Sequence, residues 1–182
     1  MSALTFRNQT LYIAQFVAKQ GELIMARLPG VEPQAELHVP ADDEYSVVAT
    51  TMIEGNTCST APATVTGPVQ LLAQITQNAA EGTYEFEMLT EPSPQAEQIM
   101  FQKTTIGPVT FTLFKNGAAV QSVVVQDSFK TESLTINGSY SAHAVINGIT
   151  TETVQTTNPN AVITAVVDNS EFEPGYFSLT VA

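Results

Sequence analysis

Hydrophobic and polar positions alternate over short stretches of this chain, which is the period of a β-strand with one buried face. In the stretch 45–53, one face carries Tyr45, Val47, Ala49 and Thr51, and the other carries Val48 and Met52. Helical periodicity is missing almost everywhere. The pattern predicts an all-β protein built from short antiparallel strands.

The predicted strands are 4–6, 11–17, 23–28, 35–39, 45–53, 57–61, 69–75, 82–88, 100–101, 109–114, 120–125, 134–136, 140–146, 149–154, 162–167 and 176–181. We interpret 4–6 and 11–17 as a first strand pair or as one long bent strand, with 11–17 covered on both faces. In 82–88 we expect Tyr84, Phe86 and Met88 to face inward and the glutamates outward.

Glycines that follow a polar residue mark the predicted tight turns. Asn116-Gly117 is a strong signal for a two-residue hairpin, because both positions tolerate a positive φ. The same chemistry predicts turns at Asn137-Gly138 and Asn147-Gly148, and further turns are expected at Gln20-Gly21 and Glu54-Gly55.

The chain also repeats itself. Phe6, Thr10 and Phe16 recur at one constant offset as Phe101, Thr105 and Phe111. Later matches in the same order are Tyr45-Ser46 with Tyr140-Ser141, Gly55 with Gly148, Pro68 with Pro159, Leu71 with Ile163, and Gly82 with Gly175. The offset drifts only near predicted loops, which absorb insertions while strands keep their period. Chance similarity is the alternative to an internal duplication.

The repeat predicts two tandem immunoglobulin-like antiparallel β-sandwich units, at 1–89 and 98–182. Between them, 90–97 contains two prolines and flanking acids, which predicts a stiff, extended linker. The comparison with immunoglobulin domains is one of architecture alone. The chain has no tryptophan and one cysteine, so it lacks their Cys-Trp-Cys pattern.

Charge limits the partners. The chain carries 6 Lys and Arg against 18 Asp and Glu, a net charge of −12. Nucleic acid and anionic membranes repel such a protein, so we expect no nucleic-acid partner. The run Asp42, Asp43 and Glu44 could supply oxygen ligands to calcium. Ordinary calcium loops separate their ligands with spacer residues, so a solvated turn is the preferred interpretation.

Cys58 is the only cysteine, which excludes an intramolecular disulfide. A secretory signal has a basic stretch followed by an apolar run, and this sequence shows no such pattern. It also has no apolar run long enough to span a bilayer. We therefore expect a cytoplasmic location or release by a non-classical route. Asn8 and Asn137 begin formal glycosylation sequons, whose use is not expected without export.

Candidates for catalysis are few. Cys58 could act as a nucleophile only beside a base, and His38 and His143 lie in unmatched parts of the two repeats. For His143, in the middle of a predicted strand, a packed position is preferred to a ligand role. Arg7 and Arg27 have no counterparts in the second repeat. We expect a protein that is not an enzyme, with no catalytic, cofactor-binding or metal site.

Three non-catalytic functions remain. The preferred one is a structural or self-assembling subunit of a fibre, inclusion or matrix, because strand 176–181 has no acid or proline to block edge pairing. A strand already paired inside its own sheet is the alternative for 176–181. The second function is a carbohydrate- or cell-surface-binding module, with loop aromatics Phe129 and Phe172 as candidates. The third is a membrane-active toxin, although its amphipathic strands would look like any half-buried strands.

Overall fold

The computed structural model describes residues 1–168 and 175–182, which form eighteen strands and no helix. The strands are β1 Ala3–Asn8, β2 Ala14–Gln20, β3 Leu23–Arg27, β4 Glu36–Pro40, β5 Glu44–Ile53, β6 Asn56–Ser59, β7 Ala63–Thr66, β8 Val69–Asn78, β9 Thr83–Pro92, β10 Gln98–Lys103, β11 Val109–Lys115, β12 Ala118–Val125, β13 Glu132–Thr135, β14 Tyr140–Ile146, β15 Ile149–Thr150, β16 Val154–Thr156, β17 Val162–Asp168 and β18 Tyr176–Val181. The predicted all-β class is confirmed.

The strands divide between two compact units. Unit 1 comprises Met1–Asp42 and Asn137–Ala182, and unit 2 comprises Asp43–Ile136. The sheets of unit 1 have the orders β18-β17-β1-β4 and β3-β2-β14-β15, with β16 also paired to β14. Those of unit 2 have the orders β9-β8-β10-β13 and β12-β11-β5-β6, with β7 also paired to β5.

The two units use the same pairing pattern. In unit 1, β1 pairs parallel with β17 and antiparallel with β4, and Phe6 lies opposite Ile163. In unit 2, β10 pairs parallel with β8 and antiparallel with β13, and Phe101 lies opposite Leu71. Phe6 and Phe101 therefore occupy matching places in the two units, and so do Ile163 and Leu71.

The apolar faces of the strands are buried where two sheets meet. In unit 1, Phe6 from one sheet and Phe16 from the other belong to one buried cluster, with ring centroids 5.2 Å apart. In unit 2, Phe101 and Phe111 make the corresponding contact at 5.1 Å. On β5 the face that carries Tyr45, Val47, Ala49 and Thr51 is the buried one.

Both residues of three predicted Xaa-Gly hairpin turns have positive φ angles. Asn116-Gly117 has φ values of 52° and 81°, Asn147-Gly148 of 50° and 77°, and Glu54-Gly55 of 50° and 81°. These pairs join β11 to β12, β14 to β15 and β5 to β6. The hairpins predicted at these positions are confirmed, because the turn residues can adopt the angles that a two-residue loop requires.

The turn predicted at Asn137-Gly138 is a bend in the chain and does not close a hairpin. β13 pairs with β10, whereas β14 pairs with β2, and the flanking strands are therefore not partners. The Asn137 side chain bends the chain locally, with its Oδ1 accepting a hydrogen bond from Ser139 N at 2.9 Å. Turn chemistry specifies a bend, but strand pairing decides whether the bend closes a hairpin.

The start of the chain also differs from the prediction. β1 and β2 lie in different sheets, so residues 4–6 and 11–17 are neither a strand pair nor one bent strand. Residues 9–13 form the connection, in which Leu11 is 82% exposed. The apolar residues that suggested burial on both faces lie partly in this loop.

β9 is a strand, but its predicted inward face is not buried. Tyr84 is 52% exposed, and Phe86 and Met88 are half-buried, as is Glu87. β8 and β9 pair out to Asn78 and Thr83, whereas β10 pairs with β8 only over residues 70–73. The outer half of the β8–β9 hairpin therefore extends beyond the third strand of its sheet.

The compact units do not coincide with the predicted consecutive ranges 1–89 and 98–182. The predicted linker 90–97 lies within unit 2, where it includes the end of β9 and leads to β10 of the same sheet. Each unit contains strands from both ranges. A repeat found in a sequence has no unique starting point, so its offset does not reveal which strands share a core.

We expect Tyr45→Phe to destabilise the protein by about 0.5–1.5 kcal/mol at neutral pH, because Tyr45 Oη donates a 2.8 Å hydrogen bond to the Gly67 carbonyl. Burial and then the charge of Asp43 raise the pKa of Tyr45. This stabilisation is present below the ordinary tyrosine pKa of about 10 and is lost as pH rises towards the folded-state pKa.

Urea unfolding of wild type and Tyr45→Phe from neutral to alkaline pH measures this effect. The stability difference should shrink above about pH 10. Tyr84→Phe, at a half-exposed position, is the control and should follow wild type. A difference that stays constant through alkaline pH would contradict the prediction.

Candidate interaction surfaces

Edge strands are the first candidate surface, because their outer backbone N–H and C=O groups are not paired within their own sheet. Among the described residues, the edge strands of at least six residues are β9, β12 and β18. β9 carries Glu85, Glu87 and Glu91 and ends at Pro92. Charges and proline are features that oppose edge pairing. β12 and β18 have neither.

β12 is the longer uncharged edge strand, with the sequence AAVQSVVV. Its partner β11 places Thr110 opposite Val124 and Thr112 opposite Ser122 on the outward face. Ser122 is exposed, and Val124 is 44% exposed. An uncharged segment of high β propensity without proline or glycine is the type that pairs between chains.

The outward sheet face beside β12 is uncharged as well. Its next two strands present Thr110, Thr112 and Phe114 on β11 and Ser46, Val48 and Thr50 on β5. The outward face beside β18 is different, because it carries Asp168 opposite Tyr176. Further across that sheet, Arg7 donates to Glu36 Oε2 from Nε at 3.1 Å and Nη2 at 3.0 Å.

Two loops of unit 2 form an apolar tip, which we define by Ile106 and Phe129. Their relative exposures are 106% and 99%. Ile106 follows β10, and Phe129 follows β12. The preceding residues bring the loops together, because Ser128 Oγ donates to the Thr105 carbonyl at 2.9 Å. The tip is therefore one surface made by two adjacent loops.

Lys103, the last residue of β10, holds the apolar tip from beneath. Its side chain is 2% exposed. Nζ donates to the Thr105 carbonyl at 2.7 Å and to Ser128 Oγ at 3.0 Å. A buried charge is costly without hydrogen bonds. These contacts therefore offset the burial of Lys103 and also connect the two loops.

Unit 1 has an apolar loop at the matching place, between β1 and β2. Leu11, Tyr12 and Ile13 are exposed by 82%, 47% and 50%. Leu11 corresponds to Ile106 in the repeat, because each follows a matched threonine. The Tyr12 ring also makes an edge contact with Phe177 at 5.8 Å, so this loop is only partly free.

Asn8 takes the place of Lys103 at the end of β1. Its side chain is 0% exposed. Nδ2 donates to the carbonyls of Tyr12 at 2.6 Å and Val31 at 2.8 Å. Thr10 donates to Asn8 Oδ1 from its N at 2.9 Å and its Oγ1 at 2.8 Å. At matching positions, the side chains of Asn8 and Lys103 each hydrogen-bond to the loop that follows their strand.

Each unit also has a cleft beside its short hairpin. In unit 2 a cleft of about 610 Å³ lies between 53–59 and 83–86, with Cys58 in its wall. In unit 1 a cleft of about 230 Å³ lies between 150–154 and 176–179, with Asp168 at its margin. In the described ranges, the hydrogen-bond partner of the Cys58 thiol is the Asn56 carbonyl at 3.8 Å, which is not a base.

The known proteins do not assign a role to these surfaces. No protein-family model, curated protein or solved structure matches this chain. Among the residues described, no helix is long and apolar enough to cross a membrane. Function has to be argued from the surfaces themselves.

Asp42, Asp43 and Glu44 lie where the chain passes from β4 to β5. In the part of the chain that the structure describes, no three His, Cys, Asp or Glu side chains are grouped to hold a metal ion. The backbone of this run has a structural contact instead, because Gly67 N donates to the Asp43 carbonyl at 3.1 Å.

The two histidines lie in different sheets of unit 1. His38 Nδ1 is 3.0 Å from Thr5 Oγ1, and its Nε2 is 3.6 Å from Glu36 Oε1 on an exposed face. His143 is half-buried in the middle of β14, opposite Val17. Both histidines belong to unit 1, whereas the nucleophile candidate Cys58 belongs to unit 2.

Of the predicted loop aromatics, Phe129 forms part of the apolar tip and Phe172 lies outside the described residues. Sequence reasoning missed Leu11 and Ile106. The prediction placed Leu11 in strand 11–17, although Leu11 and Ile106 both follow the matched threonines Thr10 and Thr105.

The two sequons are structurally unequal. Asn8 is fully buried with both amide atoms hydrogen-bonded, so the folded protein does not offer it to a glycosylating enzyme. Asn137 is half-buried, and its side chain makes the local bond to Ser139 described above.

We expect Asn8→Ala to lower the free energy of unfolding by about 2–4 kcal/mol, because it leaves several buried backbone groups without partners. Asn137→Ala is the matched control and should cost less than about 1 kcal/mol. Urea unfolding monitored by circular dichroism measures both. Equal losses in the two variants would contradict the assigned role of Asn8.

Proposed function

We propose that this protein is a non-catalytic structural subunit that self-associates through its uncharged edge strands, as in a fibre, inclusion or matrix. The observation that carries the proposal is the pair of long edge strands without charge or proline, β12 and β18. Unpaired backbone groups on such an edge can hydrogen-bond to a strand of another chain.

Charge supports these edges as the contact points. Copies with a net charge of −12 repel each other, so association is favoured where carboxylates are absent. Pairing of two β9 strands would instead bring Glu85, Glu87 and Glu91 near glutamates of the second copy. Like charges across a strand pair are destabilising.

The number of such edges supports a polymer over a closed pair. A self-complementary contact through one edge closes a dimer. A second edge in the same chain lets each dimer bind further copies. β12 belongs to unit 2 and β18 to unit 1. Each subunit therefore has one edge for β12 pairing and a second edge for β18 pairing.

We also propose that the chain arose by internal duplication of one immunoglobulin-like β-sandwich unit. The support is the common strand order of the two units, the matched contacts Phe6–Phe16 and Phe101–Phe111, and the matched polar anchors Asn8 and Lys103. In this proposal 1–89 and 98–182 are the two copies, and each compact unit combines one half of each copy.

A second candidate function is a cell-surface or carbohydrate-binding module. The observation that favours it is the apolar tip, because Ile106 and Phe129 are fully exposed yet held by a buried lysine. An exposed aromatic ring can stack on a ligand, and burial of two large side chains would stabilise a complex by several kcal/mol, at about 1.5–3 kcal/mol each.

Sedimentation velocity over a range of protein concentrations tests the proposed function. We expect the average mass to rise with concentration, and to rise further with added salt, because screening reduces the repulsion between copies. Lowering the pH towards the isoelectric point of about 4.3 should act in the same direction.

The matched variants are Val124→Lys with Thr180→Lys, on the two uncharged edges, and Ala80→Lys with Gln95→Lys, at exposed positions outside the strands. Both pairs make the net charge less negative by the same amount. Loss of assembly in the edge variant alone supports edge pairing, because reduced repulsion would favour association. A wild-type protein that stays monomeric at every concentration and salt would overturn the proposal.

A further inference from the structure

We infer that the first contact between two subunits is an antiparallel pair of β12 strands related by a two-fold axis, so that the sheet β5-β11-β12 continues into the same sheet of a second copy. This inference rests on the proposed self-association. It goes further by naming the strand, its partner and the register.

The charge distribution favours β12 over β18. From β12 across β11 to the middle of β5, the outward face carries Ser, Thr, Val and Phe and no charged residue. A copy approaching β18 meets Asp168 on the neighbouring strand, and beyond it the Arg7–Glu36 pair. For two molecules of net charge −12, β12 is the edge with less repulsion.

The geometry of β12 selects the register. The ladder between β11 and β12 shifts at Leu113/Phe114, so β12 is irregular near Val120 and regular from Gln121 to Val125. With a two-fold axis at Val123, residues 121–125 of the two strands pair so that outward side chains lie opposite outward ones and inward side chains opposite inward ones. This axis places Ser122 opposite Val124 of the second copy on the outward face, and Val123 opposite its own copy.

Every residue pair in this register is uncharged, and each pair off the axis occurs twice because of the symmetry. Val124→Lys therefore introduces two lysines into one contact. We expect it to raise the dimer dissociation constant about tenfold or more, since each altered cross-strand pair contributes on its own. Ser122→Lys, at an exposed position, is a second variant with the same expectation.

Disulfide trapping tests the register. In a Cys58→Ser background, the double variant Ser122→Cys with Val124→Cys should form a disulfide-linked dimer under mild oxidation. Directly opposed residues have Cβ atoms about 4.5–5.5 Å apart, which is near disulfide distance. Each single cysteine variant should cross-link far less, because its own copy lies on the diagonal about 7–8 Å away.

The outcomes separate the two proposals. Cross-linking of the double variant, with a tenfold weaker dimer for Val124→Lys, supports the β12 contact. A wild type that assembles while the double variant stays uncross-linked overturns the β12 contact but leaves self-association standing. Cross-linking of the single variants at the same rate as the double variant overturns the register. A monomeric wild type overturns both.

Discussion

Covering the apolar face of one sheet with the apolar face of another is the interaction on which the rest of this structure depends. Phe6 against Phe16 and Phe101 against Phe111 are its central contacts, one in each unit. The chain has a single cysteine, so no disulfide shares this task. Because the inner faces are used inside each unit, the surfaces left for partners are edges, loops and outward faces.

Polar groups at the strand ends decide how the loops leave this core. Asn8 and Lys103 are both buried at the last position of matching strands, and both hydrogen-bond to the loop that follows and to a second loop. They differ in chemistry and in their acceptors, which are two backbone carbonyls for Asn8 and one carbonyl and one hydroxyl for Lys103. As a result, the loops can present Leu11 and Ile106 to solvent while their own polar groups remain bonded.

The exposed edge strands differ in charge. Copies of a chain with a net charge of −12 repel each other. Glu85, Glu87 and Glu91 make β9 a poor partner for itself, while β12 has no such residue. The proposed assembly follows from this contrast, because both are edge strands and β12 lacks the carboxylates and the proline of β9.

Local sequence determined the all-β class and where Asn116-Gly117 and Asn147-Gly148 close hairpins. These features depend on the period of the strand and on the φ angles that a few residues tolerate. The exposure of β9 and the sheet change at Asn137-Gly138 were decided only by the tertiary structure. So were the edge positions of β12 and β18 and the presence in each compact unit of strands from both 1–89 and 98–182. Strand pairing joins residues far apart in the chain, and similar alternating strands fit many partners equally well until the sheets pack and one arrangement covers all the apolar faces.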